Sequence, residues 1–365
     1  MKATAITPDD FPWYDYGRYS YSLGLSIGDH AYLSGHTASV YDPELGRMVV
    51  RGGMEEQARI AYAKADAILT ADGKTLGDTV RLVEYITEAG IDSYGEAERV
   101  RTELFNGNTR VNTVPVRALL RRDALIEIEI ITAREADNLI FLPTIYPANV
   151  AGGVIGQTNH IYDQAARMLD NFGLGLDSLV KTVEYITQDA LADYKGTAQI
   201  RRDRLGPVYP AATGIIMPRL MRPDTVIQMD LVASREPPQS VNPGWKRFEK
   251  LTYSPGVRAG KYLFFSGTGA IDPESGQALH HGDVAAQADY IYRNILRVVN
   301  AAGGSAENLV KTIEYTTPAA QPGYRGVADV RRELMARPYP VSTGPICDAL
   351  LRREMLIEID SLAIL

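Results

Sequence analysis

The sequence predicts an α+β protein made of three repeated units, each a β-sheet covered by two helices. The first observation is a repeat, because the octapeptide VRLVEYIT at 80–87 recurs with few changes at 180–187 and 310–317. The second is that each copy precedes a helix-like run and then an apolar strand, in the same order. The third is length, since 365 residues exceed what one hydrophobic core usually serves.

The first and third units begin with two matching strands. Residues 21–36 (YSLGLSIGDHAYLSGH) match residues 253–268 (YSPGVRAGKYLFFSGT), and the tyrosine and the serine are 13 residues apart in both. In each segment the apolar run before Ser-Gly is short and ends at glycine, which predicts a strand that leads into a turn.

A helix, a strand, a second helix and a closing strand follow. Residues 55–73 and 283–304 carry apolar residues at three- and four-residue spacing and end at glycine, which predicts helices, with Asp283 as an N-cap. The β-branched VEYIT segments predict strands, and 93–105 predicts the second helix. LIEIEIIT at 125–132 alternates apolar residues with carboxylates, which is typical of a strand. Each complete unit therefore has the order ββαβαβ.

The middle unit is shorter than the other two. It lacks the first strand and its tyrosine, and passages rich in helix- and strand-breaking residues flank it, READN before and REPPQSVNPG after. The sequence therefore predicts three units, at 1–136, 137–237 and 238–365.

The composition is that of an ordinary globular chain, with 45% apolar and 23% charged residues. A net charge of −7 argues against nucleic-acid partners, which need a concentrated basic surface. Cys347 is the only cysteine, so neither a disulfide nor a cysteine-based zinc site is expected, and no histidine spacing indicates another metal site. No apolar stretch approaches the roughly 20 residues of a membrane span. We expect a cytoplasmic protein without membrane contact, metal or cofactor.

These motifs resemble the RidA family, also called YjgF, UK114 or L-PSP. The tyrosine 13 residues before Ser-Gly, the two helices and the closing IEIE strand carry the resemblance, fully in the first and third units and partly in the middle one. Members look like trimers of single units around a central barrel, with small-molecule sites between subunits. The resemblance implies three chorismate-mutase-like units fused into an intramolecular pseudo-trimer around a central β-barrel, with the helices outside. Such a chain would be a monomer or a dimer of pseudo-trimers.

The resemblance also implies catalytic residues. Family members use the first glutamate of the closing strand to hold the hydrolytic water, which corresponds to Glu127 and Glu358. The middle unit has Gln228 there and is expected to be chemically silent, because a carboxyl in a partly dry cleft passes protons at neutral pH and an amide does not. Periodicity alone favours a plainer interpretation, a solvated strand face.

The expected substrate-binding residues lie around these glutamates. The backbone amides of the Ser-Gly turns would hold a carboxylate or an oxyanion, although a simple turn at the strand end fits the residues equally well. Two tyrosines would close over the ligand. The full set is Tyr21, Ser34, Gly35, His36, Arg110, Tyr253, Ser266, Gly267, Ser342 and Cys347.

One family feature is missing. Relatives carry an arginine before the closing hairpin that clamps the substrate carboxylate, and the corresponding position here is Val111 or Asn112, Ala212 and Ser342. Arg110 is the nearest replacement, but an offset of one residue in a strand points a side chain to the opposite face.

Two further features recur in every unit. Paired Glu-Tyr residues are interpreted as structural, and they stand at 84–85, 184–185 and 314–315. One arginine of the second helix is interpreted as part of a helix-surface salt bridge, and it is Arg101, Arg201 and Arg331 in the three units.

Three functions are compatible with these residues. The first is a small-molecule hydrolase or deaminase that acts on a conjugated polar metabolite, an enamine, imine or aminomuconate-like compound, through a glutamate-held water. The second is a chorismatase-like enol-ether hydrolase, for which the strand ends supply few arginines to bind a dianion. The third is a non-catalytic protein that binds a small ligand.

Overall fold

The computed structural model describes residues 2–107, 109–134 and 138–365. The predicted boundary at residue 136 therefore lies outside the described residues. Three stretches of chain with similar element orders follow one another. We call them the first segment (residues 2–134), the middle segment (138–234) and the third segment (239–365).

The predicted helices and strands occur in the predicted order, but the structure adds strands that the prediction lacks, including one between the second helix and the closing strand of each segment. The first segment contains β1 (Thr4–Ile6), β2 (Gly24–Ile27), β3 (His30–Leu33), β4 (His36–Thr37), β5 (Val40–Asp42), β6 (Arg47–Val49), α1 (Met54–Ala71), β7 (Thr79–Thr87), α2 (Tyr94–Leu104), β8 (Asn112–Val116), β9 (Ala118–Leu119) and β10 (Ile126–Ala133). The middle segment contains β11 (Leu139–Phe141), α3 (Gly153–Asp170), β12 (Leu179–Thr187), α4 (Thr197–Arg204), β13 (Ala211–Met217) and β14 (Ile227–Ser234). The third segment contains β15 (Gln239–Val241), β16 (Gly256–Ala259), β17 (Tyr262–Phe265), β18 (Thr268–Gly269), α5 (Val284–Ala301), β19 (Leu309–Thr316), α6 (Arg325–Leu334), β20 (Val341–Thr343), β21 (Pro345–Ile346), β22 (Ala349–Leu350) and β23 (Ile357–Ile364).

Hydrogen bonding joins the strands into one main sheet for each segment. The strand orders are β1-β2-β3-β10-β7-β8, β11-β14-β12-β13-β22 and β15-β16-β17-β23-β19-β21-β9. Beside these paths, β4 pairs with β10, β18 with β23 and β20 with β19, while β5 and β6 form a separate hairpin. Two short strands cross between segments, because β22 pairs with β13 and β9 pairs with β21.

The described strands form three open sheets and not the closed central barrel that the resemblance implies. The reason lies at β8, the edge strand of the first sheet. The middle segment reaches this edge through side chains and adds no strand to it. Gln228, for example, donates from Nε2 to the carbonyl oxygen of Thr113 at 2.8 Å.

The same antiparallel pairing lies at the centre of each sheet. In β10 with β7, β14 with β12 and β23 with β19, the residues opposite the tyrosines of the Glu-Tyr pairs are Glu127, Gln228 and Glu358. A register shift of one residue would turn every side chain to the other face of the sheet. The shared register therefore puts these three residues in equivalent places.

The helices cover one face of each sheet. In β10 the side chains of Ile126, Ile128 and Ile130 are buried in the core that α1 also lines, so the intervening glutamates face the other way. Asp283 caps α5 as predicted, because its carboxylate accepts a backbone N–H of the first turn at 3.0 Å. Among the helices described, none combines the length and the apolar character needed to cross a bilayer.

The repeated glutamates and arginines form buried networks. Glu314 is fully buried and accepts hydrogen bonds from the hydroxyls of Tyr292 and Tyr324 and from Nη1 of Arg331. The same ion pair joins Glu84 to Arg101 and Glu184 to Arg201. The interpretation of these arginines as helix-surface salt bridges is wrong, because each one reaches inward to a carboxylate that the fold has removed from water.

Two hydrophobic clusters contain residues of all three segments. One includes Tyr85, Tyr185 and Tyr315, and the hydroxyls of the last two are 3.2 Å apart. A second cluster likewise draws residues from each segment. Since one fully buried large apolar side chain contributes about 1.5–3 kcal/mol, the segments stabilise one another through these shared clusters.

Candidate active site

Neighbouring segments meet where the closing strand of one faces the end of a strand of another. We call the contact of β10 with β20 the first cleft, that of β23 with β13 the second cleft and that of β14 with β8 the third cleft. The equivalent residue of the closing strand is Glu127 in the first cleft, Glu358 in the second and Gln228 in the third.

The glutamate of each acid-bearing cleft lies directly over the glycine of the Ser-Gly turn. A Cβ atom at Gly35 would overlap Oε1 of Glu127, and a Cβ atom at Gly267 would overlap Oε1 of Glu358. Glycine is needed at both positions because the carboxyl occupies the space of a side chain. The need for glycine at these positions comes from contacts between residues that are far apart in the sequence, so the sequence alone does not show it.

Replacing Gly35 with alanine is expected to displace the Glu127 carboxyl. If the first cleft has the hydrolytic activity that the resemblance implies, this activity should fall by about tenfold or more. The variant should lose only about 1–3 kcal/mol of stability, because the new methyl group also presses on Thr343 but requires no left-handed backbone. Hydrolysis would be measured in a protein that also carries E358Q, with G53A as the control, since a Cβ at Gly53 meets no atom within 4 Å. An unchanged rate in G35A would contradict the assignment.

The Ser-Gly turns join neighbouring segments. Ser34 Oγ donates to the carbonyl of Ser22 at 2.6 Å and accepts from the amide of Ser342 at 2.9 Å, and Gly35 N–H donates to the Ser342 carbonyl at 3.2 Å. Ser266 and Gly267 make the same bonds to Ser254 and Ala212. The amides of Ser34 and Ser266 donate to other carbonyls. The expectation that these amides bind an oxyanion is therefore wrong, because backbone carbonyls already occupy them.

Both glutamates are held in the protonated form by their surroundings. Burial and the charge of Glu129 raise the pKa of Glu127 to about 8, against the opposing charge of Arg121. Burial and the charge of Asp360 raise the pKa of Glu358 to about 8 as well. Glu127 is 7% exposed, whereas Glu358 is only partly buried, so solvent weakens the shift more at Glu358. At pH 7 each carboxyl is mainly protonated and can donate a proton.

A buried ion pair lies beside each glutamate. In the first cleft the ammonium of Lys311 pairs with Glu129, which also accepts from Thr343 Oγ1 at 2.7 Å. In the second cleft Lys181 pairs with Asp360 at 2.7 Å. These lysines lie in the central strands of the neighbouring segment, and sequence reasoning missed them. The sequence offered one signal for them, because in two of the units a lysine stands three residues before the Glu-Tyr pair.

The two cleft tyrosines belong to aromatic groups. Tyr21 stacks on Tyr19 with ring centroids 5.3 Å apart, and its hydroxyl is 3.4 Å from that of Tyr14. Burial is the main cause that raises the pKa of Tyr21, and nearby Glu127 raises it further. Tyr253 packs edge-on against Phe248 at 5.6 Å, and the charge of Glu358 contributes to its raised pKa after burial. The structure thus places each tyrosine within electrostatic reach of the glutamate of its cleft.

His36 and Arg110 do not join the glutamates. His36 is paired across the sheet with Ile128, so its ring lies on the helix-covered face, opposite to Glu127. Burial and then the charge of Lys64 lower its imidazole pKa to about 3. Arg110 is exposed on the segment before β8, and no contact with Glu127 is found among the described residues. Both residues were predicted to bind substrate from their place in the sequence, and in the structure neither lies beside Glu127.

Ser342 and Cys347 lie at the cleft walls. Ser342 supplies the backbone groups that hold Ser34 and Gly35, and its Oγ accepts from Arg331 at 3.3 Å. Cys347 is fully buried, and its Sγ donates to the Thr316 carbonyl at 3.3 Å. Burial is the main cause that raises the pKa of this thiol, so it stays protonated and is no nucleophile.

The strand register identifies the position of the missing family arginine. Asn112, Thr213 and Thr343 are paired with equivalent residues of the central strands, so the residues before them correspond. Those residues are Val111, Ala212 and Ser342. The alternative Asn112 is excluded. Within residues 2–107, 109–134 and 138–365, no three side chains of His, Cys, Asp or Glu come together as a metal site.

Comparisons with known proteins agree with the fold. A RutC family protein of Pyrococcus abyssi is 27% identical over 115 residues, which cover 32% of this chain and 87% of that protein. A protein of Escherichia coli K12 named "Putative reactive intermediate deaminase TdcF" is 26% identical over 121 residues, 32% of this chain and 88% of its own. A crystal structure of a chorismatase covers 79% of this chain and 94% of its own with a TM-score of 0.53, and at 17% identity this likeness shows the fold alone.

The family model described as Endoribonuclease L-PSP matches twice, at residues 16–134 and 248–365. These matches fall on the first and third segments, which contain Glu127 and Glu358. Together they cover more than half of the sequence, and the chain therefore belongs to the Endoribonuclease L-PSP family, the RidA/YjgF proteins.

Proposed function

We propose that this protein hydrolyses a small conjugated C–N compound, an enamine, imine or aminomuconate-like metabolite, and releases ammonia. Glu127 in the first cleft and Glu358 in the second are the proton donors. The observation that carries the proposal is that each carboxyl is desolvated, lies against a glycine and has a pKa of about 8. The net charge of −7 favours a small metabolite over RNA, in spite of the family's description.

The proposed architecture is a pseudo-trimer of three fused units, at 1–136, 137–237 and 238–365. The shared clusters and the equivalent central registers of the three segments support this arrangement. Fusion lets each cleft diverge, since symmetry no longer forces the three to be alike. The third cleft lacks this glutamic acid, because Gln228 stands in its place. The glutamine side chain is fully buried, and its amide donates to a backbone carbonyl.

The chemistry of an imine substrate needs a group that gives a proton and takes one back. The glutamic acid protonates the imine nitrogen, which makes the carbon more electrophilic. Water then forms a bond to this carbon, and the carboxylate accepts the proton that water releases. The glutamic acid then protonates the nitrogen of the resulting carbinolamine. The C–N bond breaks as the hydroxyl proton returns to the carboxylate, and ammonia and a carbonyl product are released. A carboxyl with a pKa near the working pH is suited to both transfers.

The test is to replace each glutamate with glutamine. We expect E127Q and E358Q each to remove one part of ammonia release from an imine formed in situ, and the double variant to fall roughly 100- to 10,000-fold. E333Q on the exposed face of α6 is the matched control. Full activity in the double variant would overturn the proposal.

Two further measurements separate the alternatives. Enol-ether hydrolysis would release pyruvate from chorismate, and we expect little, because the buried cations Lys311, Lys181 and Arg331 already pair with carboxylates and leave little charge for a dianion. A protein that binds metabolites and raises its melting temperature without turnover would be a binding protein.

A further inference from the structure

Arg121 lies at the first cleft with its charge unused by any carboxylate. It precedes β10, is half-buried, and donates from Nη2 to the hydroxyl of Tyr19 at 3.2 Å. Its guanidinium carbon lies 5.7 Å from the centroid of the Tyr19 ring. Its charge also lowers the pKa values of Glu127 and Tyr21, so it lies within electrostatic reach of both. In the described chain no carboxylate oxygen lies within 4 Å of Arg121.

The other cations near the first cleft are paired or partly neutral. Lys311 is neutralised by Glu129 and Arg331 by Glu314. Lys64 donates to the backbone carbonyls of Thr37 and Ser39, and burial together with Arg121 lowers its pKa to about 7. Glu127 is mainly protonated at neutral pH. The guanidinium of Arg121 is therefore, among the groups described, a half-buried charge without a counter-ion. Arg18 also lacks a carboxylate within 4 Å among the described residues and lies 5.5 Å from the centroid of the Tyr19 ring, but its side chain is exposed to solvent.

The equivalent arginine of the third segment has another role. Arg352 occupies the position of Arg121 in the aligned ALLRR motif, but it is exposed and donates from Nη2 to the carbonyl of Gly276 at 2.7 Å. Lys181, and not Arg352, lowers the pKa of Glu358. In the second cleft the arginine that acts on the cleft tyrosine is Arg247, whose charge opposes the rise in the pKa of Tyr253. The two acid-bearing clefts thus take their arginines from different parts of the chain, although their glutamates are equivalent.

We propose that Arg121 selects the ligand of the first cleft and that this ligand is a small carboxylate monoanion. A half-buried guanidinium without a counter-ion binds a carboxylate through charge-assisted, forked hydrogen bonds. The half-buried charge of Arg121 matches one negative charge, and the stacked Tyr19 and Tyr21 rings offer a flat apolar surface for a conjugated group. The inference rests on the proposed function only in placing the ligand beside Glu127, and it assigns the role of the missing family arginine to a residue outside the family's position.

Binding of crotonate and of crotonamide tests this inference without any turnover. The two probes have the same size and conjugation and differ in charge. We expect calorimetry to show that the full-length protein binds crotonate more tightly than crotonamide. R121Q should lower the affinity for crotonate roughly 10- to 100-fold and change the affinity for crotonamide little. The affinity of R121K for crotonate should lie between those of wild type and R121Q, because lysine keeps the positive charge but cannot form the forked pair of hydrogen bonds. R352Q is the matched control, and its affinity for crotonate should stay within about twofold of that of wild type.

Three results would overturn the inference: a wild type that does not prefer crotonate, an R121Q that binds it normally, or an R352Q that loses as much as R121Q. Should R121Q fail to fold, R121K supplies the same comparison. Failure of the proposed hydrolysis is distinguishable, because the E127Q/E358Q double variant then shows the ammonia release of wild type while crotonate binding still depends on Arg121. If instead hydrolysis holds and crotonate binding ignores Arg121, only the present inference falls.

Discussion

Replacing Lys311 with methionine is expected to destabilise the protein by about 3–5 kcal/mol. Lys311 and Glu129 belong to different segments, and their side chains are 7% and 1% exposed. Removal of the ammonium leaves the Glu129 carboxylate buried with Thr343 as its remaining hydrogen-bond donor among the described residues. Urea unfolding monitored by circular dichroism measures the loss. Ammonia release should fall as well, because the uncompensated carboxylate is close to Glu127.

The controls separate the loss of the pair from the loss of a surface charge. R293M removes an exposed arginine that contacts Asp289 and Glu333, and we expect no measurable change. The double variant K311M/E129M removes both buried charges and should recover most of the lost stability, since apolar residues of similar size replace buried ion pairs well. If K311M were no less stable than R293M, the burial assigned to this pair would be incorrect.

E127Q is expected to gain stability relative to wild type as the pH rises from about 4.5 to about 8. Below pH 4.5 the carboxyl is protonated in both the folded and the unfolded wild type, so it contributes no difference. Between pH 4.5 and 8 the unfolded chain loses this proton and the folded chain keeps it, which favours unfolding by about 1.4 kcal/mol per pH unit. Above pH 8 both forms are ionised and the difference stays constant. Glutamine does not titrate, so the variant escapes this loss.

The measurement is the difference in unfolding free energy between E127Q and wild type at pH 5 and at pH 8. We expect this difference to move in favour of E127Q by on the order of 3 kcal/mol. Comparing two pH values cancels any fixed cost of the new amide. E358Q should show the same sign with a smaller size, because Glu358 is more exposed. A difference that does not change with pH would show that Glu127 titrates as an ordinary carboxyl.

Much of the fold was predictable from local patterns. The repeated VEYIT strands, the helices and the closing IEIE strand lie where their periodicities indicate, because a period of two or of 3.6 residues is a property of neighbouring residues. The repeats also show that Glu127 and Glu358 are equivalent residues, and the shared strand register agrees with this equivalence. The expectation of a closed barrel was wrong, because strand pairing between segments depends on which edges meet, and local patterns do not show this.

Local sequence patterns are enough to establish the repeat, the predicted helices and strands, and the two glutamates that stand in equivalent strands. Three other features depend on tertiary packing. Arg101 and its counterparts pair with buried glutamates, Lys311 pairs with Glu129 from 182 residues away, and Arg121 has no counter-ion among the described residues. The physical reason is that ionisation and pairing depend on the dielectric surroundings and on the nearest charge. Both are set by the packing of distant segments, whereas a strand or a helix is set largely by its own residues.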